Sequence, residues 1–142
     1  MKSFTDIEQS KKLAEILPLE SADMYYYTVN GDIYKTPNMI ERIDDLDVDD
    51  KSIPCWSLAA LMDMLPSKFT QKGKYSETTY SIHIRKYALT EDVDLHQIAY
   101  GNYKIYEDGS SSWKDMINTG EKENLIDAAF QMICWLKENK KL

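Results

Sequence analysis

The chain has 142 residues, of which 43% are hydrophobic and 29% are charged. This length and composition are typical of one globular domain with a packed core rather than of a disordered protein. The net charge of −7 argues against a nonspecific nucleic-acid binder or an anionic-membrane binder, because both need a positive field. We therefore predict a single domain over residues 1–142 with neither nucleic acid nor membrane as a partner.

The cysteine content and the absence of apolar segments predict a cytoplasmic protein. Two cysteines are too few for the disulfide framework of a small secreted domain, so both thiols are expected to be reduced. The first residues lack the apolar core of a signal peptide, and no stretch approaches the roughly 18 apolar residues that a membrane span needs.

The first part of the chain predicts a helix and then a hairpin. Thr5 and Glu8 have the spacing of a capping box, and Pro18 would end the helix, which is expected near residues 5–17. Asn30-Gly31 fits a type I′ turn, which predicts a hairpin near residues 24–36. The acidic stretch 41–50 is expected to be a solvated loop because its carboxylates repel one another.

The rest of the chain predicts helix, two strands and helix. Prolines bound a second helix near residues 54–65, and the basic stretch 67–77 is expected to be a connection. Period-2 alternation predicts long strands near 78–88 and 98–107, followed by a turn at 108–113. A final helix is predicted near 121–140. The predicted fold class is α+β, with a small antiparallel sheet packed against the helices.

Cys55 is a candidate catalytic nucleophile. It lies beside Trp56 at the predicted start of the second helix, where a thiolate is stabilised, and His83 or His96 could act as the base of a cysteine hydrolase. The glycine and second cysteine that precede the Cys-Trp pair in papain-like hydrolases are absent from residues 52–54. Helical geometry also places Cys55 on the apolar face, so packing is the preferred interpretation.

Metal and cofactor sites are not predicted. Residues 45–49 match the D-x-D-x-D opening of a calcium loop, but Asp50 stands where that loop needs glycine and Trp56 where it needs glutamate. The two cysteines and two histidines do not have the spacing of a zinc site.

The two long strands predict an exposed cationic and aromatic strip. Alternation places five side chains on their outward faces: His83, Arg85, Tyr87, Lys104 and Tyr106. Tyrosine, arginine and histidine on an open sheet face favour a protein contact or self-association. Stacking platforms for single-stranded nucleic acid use the same residues but need a positive field, and an ordinary solvated face is the remaining alternative.

The acidic stretch is a second candidate contact surface. Its aspartates are Asp44, Asp45, Asp47, Asp49 and Asp50. Such a cluster can imitate the charge of DNA and occupy a basic host protein, which gives a DNA-mimic inhibitor as a further alternative.

Three blocks of the sequence resemble a known group of proteins: KKLAEILPLESADMYY, IPCWSLAALMDMLP and ENLIDAAFQMICWLKEN. The pattern resembles short uncharacterised proteins from Bacteroides-type gut bacteria and their phages or mobile elements. The resemblance implies a phage or mobile-element setting and no known activity. In that pattern the residue before the tryptophan is merely small, so Cys55 gains no support as a nucleophile. We expect a small acidic, non-enzymatic accessory protein that binds another protein.

Overall fold

The computed structural model of the chain describes residues 2–29, 32–33, 36–39 and 52–142. Backbone contacts divide the chain into two compact units, Met1–Met64 and Leu65–Leu142. Each unit contains helix and antiparallel sheet, so the predicted α+β fold class is confirmed. The extent of the predicted single domain stays a prediction. Among the described residues, no helix is both long enough and apolar enough to cross a membrane.

The first unit combines short strands with two helices. Its elements are α1 (Ile7–Ile16), a 3-10 turn (Leu19–Ser21), β1 (Met24–Tyr26), β2 (Thr28–Val29), β3 (Asp32–Ile33), β4 (Asn38–Met39), β5 (Ile53–Cys55) and α2 (Leu58–Met64). β1 is the central strand of a sheet with the order β4-β1-β5. The predicted hairpin is confirmed only for the short pair of β2 and β3, because β1 pairs with β4 and β5 instead. Its predicted Asn30-Gly31 turn lies outside the described residues.

The predicted first helix is confirmed, but its capping residue is not the predicted one. Asp6 caps α1, since its Oδ1 accepts a hydrogen bond from the Gln9 amide at 2.8 Å and the Gln9 side chain accepts one from the Asp6 amide. Thr5 is fully buried, and its hydroxyl lies 2.7 Å from the Ser10 hydroxyl. The capping box is therefore shifted by one residue, because the Thr5 side chain is engaged in the core.

The second helix begins later than predicted. Residues 53–55 form β5 and pair with β1, so α2 starts only at Leu58. The Ser57 hydroxyl accepts a hydrogen bond from the Ala60 amide at 3.2 Å and donates to Asp23, which fixes the start of the helix. Cys55 therefore belongs to a strand, and the prediction that it lies at a helix N-terminus is wrong. Pro54 is tolerated because β5 is an edge strand.

The second unit is a four-stranded antiparallel sheet with one helix. Its elements are β6 (Lys68–Lys72), β7 (Glu77–Ala88), β8 (Asp94–Ile105), β9 (Ser111–Asn118) and α3 (Leu125–Glu138), and the strand order is β6-β7-β8-β9. The two predicted long strands are confirmed as β7 and β8, which pair with each other. The predicted last helix is confirmed as α3. It begins at Leu125 because the Asn124 side chain accepts a hydrogen bond from the Asp127 amide at 2.8 Å.

Two strands of this sheet were not predicted. The stretch expected to be a connection contains β6, and the expected turn at 108–113 overlaps the start of β9. Neither strand has the run of large apolar residues that identifies a strand in sequence. Phe69 anchors β6, because its buried ring lies 5.0 Å from the Tyr100 ring and 6.2 Å from the Trp135 ring of α3.

A β-bulge in β9 turns its side chains to the other face of the sheet. Tyr100 pairs with Ile117 and Gly101 pairs with Asp115, so Met116 is the additional residue. Without the bulge, Asp115 would share the face of Ile117. With the bulge, Ile117 lies on the face of Tyr100, and Asp115 lies on the opposite face.

Replacing Gly101 with alanine tests this packing. A Cβ atom at Gly101 would lie 2.2 Å from the Lys114 carbonyl oxygen and 2.9 Å from two atoms of the Trp113 ring. We expect Gly101→Ala to lower the free energy of unfolding by about 1–3 kcal/mol, as overpacking in a core does. Denaturant titration measures the change. Gly73→Ala is the control, since its Cβ would come no closer than 3.1 Å to a neighbour, and an equal loss in both variants would contradict the expectation.

Candidate functional site

Within the second unit, α3 covers one face of the four-stranded sheet, and the other face carries no helix of that unit. Phe69, Tyr100 and Trp135 pack together on the helix-bearing side. The register pairs His83 with Ala99 and Ile82 with Tyr100, so odd-numbered residues of β7 and β8 lie on the other side. We call this side the open face. It consists of the odd-numbered residues of β7 and β8 and of the residues that pair with them on β6 and β9.

An arginine–carboxylate pair lies at the centre of the open face. Arg85 on β7 donates two hydrogen bonds to Asp115 on β9, at 2.8 Å from Nη1 and 2.6 Å from Nη2. The same Nη1 donates to the Gln97 side chain on β8 at 2.8 Å. Both charged side chains are 23% exposed. The three strands are therefore joined by one bidentate ion pair and its amide neighbour.

The Asp115 carboxylate is saturated with donors. Besides the two bonds from Arg85, it accepts one from the Trp113 indole at 2.6 Å and one from the Asn118 amide at 3.3 Å. The hydrogen bonds from Arg85 lower the pKa of Asp115 from its ordinary value of 3.8 to about 2. An ionised carboxylate whose lone pairs are all engaged is a poor general acid or base. Asp115 is therefore a structural centre of the open face.

An aromatic stack lies beside this ion pair. The His83 ring stacks on the Trp113 ring with a centroid separation of 3.8 Å and an interplanar angle of 12°. Tyr103 packs edge-on against Trp113 at 5.3 Å. Trp113 lies on β9 and His83 on β7, and the absence of a side chain at Gly101 leaves room for the indole between them.

Three exposed apolar side chains share the open face with the stack and the ion pair. Ile105 is 77% exposed, Tyr103 62% and Tyr87 42%. The open face thus combines a rigid polar and aromatic centre with apolar side chains in contact with solvent. Large apolar side chains grouped on one surface are a feature of interaction sites.

The strand register separates the members of the predicted cationic and aromatic strip, whose role in partner binding stays a prediction. His83, Arg85 and Tyr87 share the open face. The inclusion of Lys104 and Tyr106 is wrong. Lys104 pairs with Ser112 on the helix-bearing side, and Tyr106 follows the end of β8, where its hydroxyl contacts Ser112 at 2.9 Å. Sequence alternation gives two faces for each strand, but only the pairing register decides which faces coincide.

Sequence reasoning did not identify Trp113, Asp115 and Gln97 as residues of the open face. Trp113 and Asp115 lie on the unpredicted strand β9, and the role of Gln97 depends on the pairing of β8. One signal was available, because a glycine inside a strand pattern often marks a bulge or a close backbone approach, and Gly101 marks both.

The candidate nucleophile Cys55 has a structural environment. Its thiol is fully buried and lies 3.5 Å from both the hydroxyl and the carbonyl oxygen of Thr5, which also accepts a hydrogen bond from the Tyr26 hydroxyl. Burial raises the pKa of the Cys55 thiol, so the reactive thiolate is disfavoured.

The two candidate bases lie in the second unit. His83 stacks on Trp113. The backbone of His96 pairs with Lys122, through an amide-to-carbonyl hydrogen bond in each direction, at 2.6 and 2.8 Å.

A pocket of about 430 Å³ lies beside the bulge. Its lining residues are Tyr80, Asn102, Lys114, Asp115 and Met116. The volume is within the range of small-molecule sites, but such sites are mostly apolar and this lining mixes two charges with an amide. Since the Asp115 carboxylate is already saturated, the pocket offers no unengaged carboxylate for catalysis.

The acidic and metal-binding predictions concern mainly residues that are not described. Asp44, Asp45, Asp47, Asp49 and Asp50 lie outside the described residues. Within the described ranges, no group of three or more histidine, cysteine or acidic side chains could hold a metal ion.

The charge of the sequence is divided unevenly between the two units. Residues 1–64 hold 13 acidic and 6 basic side chains, and residues 65–142 hold 11 of each.

Comparisons with protein-family models, with curated proteins and with solved structures find no match for this chain.

Replacing Asp115 with asparagine tests the central ion pair. The folded pKa of Asp115 lies below its ordinary value, so its stabilising contribution is complete above about pH 4 and is lost as the pH falls toward 2. We expect Asp115→Asn to lower the free energy of unfolding by about 1–2 kcal/mol at pH 7, allowing for partial solvent screening. Urea titrations at several pH values should show the difference from wild type shrinking between pH 4 and pH 2.

The matched control is Asp94→Asn on the same sheet. Asp94 pairs with Lys86 at 2.9 Å, but the two side chains are 46% and 63% exposed. An exposed pair contributes little, so this variant should stay within about 0.5 kcal/mol of wild type. Equal effects of the two substitutions, or a difference for Asp115→Asn that does not change with pH, would show that the central pair has no special role.

Thiol labelling tests the environment of Cys55. We expect Cys134, which is partly exposed, to react with a maleimide at neutral pH at least about tenfold faster than the fully buried Cys55 in the folded protein. Mass spectrometry of digests taken over a time course measures both rates, and labelling in denaturant gives the reference. Faster labelling of Cys55 would contradict a structural role for this residue and support the alternative hypothesis of a cysteine hydrolase.

Proposed function

We propose that this chain is a non-enzymatic accessory domain that binds another protein, and that the open face of the four-stranded sheet is its contact surface. The observation that carries the proposal is the combination of a saturated polar centre with exposed Tyr103 and Ile105 on one face.

The saturated centre makes the open face suitable for burial against a protein. Polar groups are costly to remove from water when they lose hydrogen bonds. The Asp115 carboxylate already holds its hydrogen bonds within the chain and is largely withdrawn from solvent. A partner that covers it therefore needs no matching donor for that carboxylate.

The apolar side chains supply the favourable part of the contact. Tyr103, Trp113 and Tyr87 are residue types enriched at interfaces, and Ile105 exposes an aliphatic side chain beside them. His83 and Tyr103 support Trp113 from two directions, so little side-chain freedom is lost when a partner binds. This arrangement favours a preorganised protein contact over an adaptable one.

The proposal includes the cytoplasmic and mobile-element setting expected from the sequence. Its support is the resemblance of the three sequence blocks.

The acidic first unit supports a second candidate function. The excess of 13 acidic over 6 basic side chains in residues 1–64 favours a basic partner protein, as the DNA-mimic hypothesis requires. This contact would not use the open face, since the second unit has equal numbers of both charges. The two candidates can therefore be separated by mutation.

Affinity capture with matched variants tests both candidates. The tagged chain is incubated with a lysate of its host at about 0.15 M salt, and bound proteins are quantified by mass spectrometry. We expect Ile105→Lys and Tyr103→Lys to reduce capture at least about tenfold, because each places a charge in an apolar contact. Leu19→Lys, at a residue of the first unit that is 53% exposed, is the control and should capture normally.

The acidic candidate has its own arm in the same experiment. Asparagine replaces Asp44, Asp45, Asp47, Asp49 and Asp50 together. Loss of capture in this variant alone supports the basic-partner candidate and contradicts the open-face proposal. Capture that is unchanged in every variant contradicts both.

A further inference from the structure

We propose that the pocket beside the bulge binds a small organic monocarboxylate that carries an aromatic ring. We call it the bulge pocket, with the lining Tyr80, Asn102, Lys114, Asp115 and Met116. The inference goes beyond the proposed function, because its polar side chains lie on the helix-bearing side of the sheet and the proposed protein contact lies on the open face. Three features carry it: a row of unengaged donors, an unbalanced positive charge and two apolar walls.

Three polar side chains of the bulge pocket form one row across three strands. Asn102 on β8 pairs with Lys114 on β9, and the register of β7 against β8 places Tyr80 on the other side of Asn102. Tyr80 also pairs with Phe69, whose ring lies against the Trp135 ring of α3, so the row is on the helix-bearing side. Paired side chains on one face have Cβ atoms about 4.5–5.5 Å apart. The three polar groups can therefore contact one small ligand together.

Each side chain of this row brings a hydrogen-bond donor that the chain leaves unused. Among the described residues, none of Tyr80, Asn102 and Lys114 makes a side-chain hydrogen bond or an ion pair within the chain. Their phenol, amide and ammonium groups are all donors, and an ionised carboxylate is purely an acceptor. Tyr80 and Asn102 are half-buried, so their polar groups have limited access to water and gain from a bound acceptor.

The charges of the lining leave the bulge pocket positive. Arg85 balances Asp115, because the two side chains form a bidentate pair on the open face. Lys114 has no such partner and keeps its positive charge. A single cation with two neutral donors matches an anion of charge −1 better than a phosphate monoester, whose charge is about −1.5 to −2.

The neighbouring rows of the sheet supply no carboxylate to this side. Within residues 65–142, which are described throughout, the flanking positions of β7, β8 and β9 on the helix-bearing side are apolar, hydroxyl-bearing or basic. They are Ile82, Tyr100 and Ile117 in one row and Thr78, Lys104 and Ser112 in the other. A carboxylate that enters the bulge pocket therefore meets no repulsion from these rows.

Tyr80 and Met116 give the bulge pocket its apolar walls. The Tyr80 ring packs against the Phe69 ring with centroids 5.5 Å apart, so its position is fixed before a ligand binds. Aromatic rings attract a further ring in stacked or edge-on contact, and a methionine thioether adapts to the shape of an aromatic group. The volume of about 430 Å³ is within the range of small-molecule sites. A carboxylate at the row of donors and a ring between the walls use all of these features.

Titration of the full chain with benzoate tests the inference, followed by NMR spectra of the nitrogen-15-labelled protein at pH 7. We expect saturable shifts of the amide signals of residues 80, 102 and 114–116. The dissociation constant should be about 1 mM or lower, which a ligand of about nine non-hydrogen atoms can reach. Benzamide has the same size without the charge and should bind at least about tenfold more weakly.

Three outcomes of this titration contradict the inference. The first is the absence of saturable shifts at these residues up to about 20 mM benzoate. The second is benzamide binding as tight as benzoate, which would show that the anion is not recognised. The third is phenyl phosphate binding at least about tenfold tighter than benzoate, which would assign the bulge pocket to a phosphate instead.

Replacing Lys114 with glutamine tests the cation. Lys114→Gln should raise the dissociation constant of benzoate at least about tenfold, because a charge-assisted hydrogen bond is lost. Lys104→Gln is the matched control. Lys104 lies in the next row of the same side, but its Nζ lies over the Tyr106 ring, 5.7 Å from the ring centre, and it does not line the pocket. At about 0.15 M salt this variant should bind within about twofold of wild type. Equal weakening in both variants would indicate general attraction of anions and overturn the inference.

Replacing Asn102 with aspartate tests the position of the carboxylate. Asn102→Asp keeps the shape of the side chain, but its negative charge engages Lys114 and repels an anion in the same row. We expect no saturable benzoate binding in this variant, while the dispersion of its NMR spectrum shows that it is folded. Binding as tight as in wild type would mean that the carboxylate does not lie beside Asn102, which overturns the proposed site.

Discussion

The hydrogen bonds to the Asp115 carboxylate hold the open face together. They come from Arg85 on β7 and from Trp113 and Asn118 on β9. Arg85 also donates a hydrogen bond to Gln97 on β8. Asp115 can accept them only because the bulge at Met116 turns it away from the helix-bearing face. Gly101 is required at the same point, since a side chain there would collide with Lys114 and Trp113. The Arg85–Asp115 ion pair therefore depends on both the bulge and Gly101.

These interactions determine the chemistry and the rigidity of the open face. Charge pairing and hydrogen bonding keep Asp115 ionised and fully engaged, which removes it from acid–base chemistry. The same interactions fix Trp113 and its neighbours in place, so the surface is rigid before any partner arrives. A rigid surface of saturated polar groups with exposed apolar neighbours is better suited to a protein than to a reacting small molecule. In the other unit, burial raises the pKa of the Cys55 thiol, which disfavours Cys55 as a nucleophile.

The division of charge gives the two units different properties. Residues 1–64 carry the whole net charge of the sequence, and residues 65–142 are balanced. Side chains of both signs lie at each end of the sheet in the second unit, as the pairs Lys72–Glu77 and Lys86–Asp94 show. Net charge mainly affects solubility and the rate of encounter, so the two units differ in these properties.

The sequence by itself determined the elements with strong local signals. The periodicity of apolar residues and the helix-ending Pro18 predict the first helix, the last helix and the two long alternating strands. The combination of these elements predicts the α+β class. Only the tertiary structure decided the rest. β6 and β9 are strands because their few apolar residues find partners on β7, β8 and α3, and Cys55 is in a strand because β1 pairs with it. Register placed His83 and Arg85 on one face and Lys104 on the other, since a shift of one residue exchanges the faces and no local signal fixes that shift.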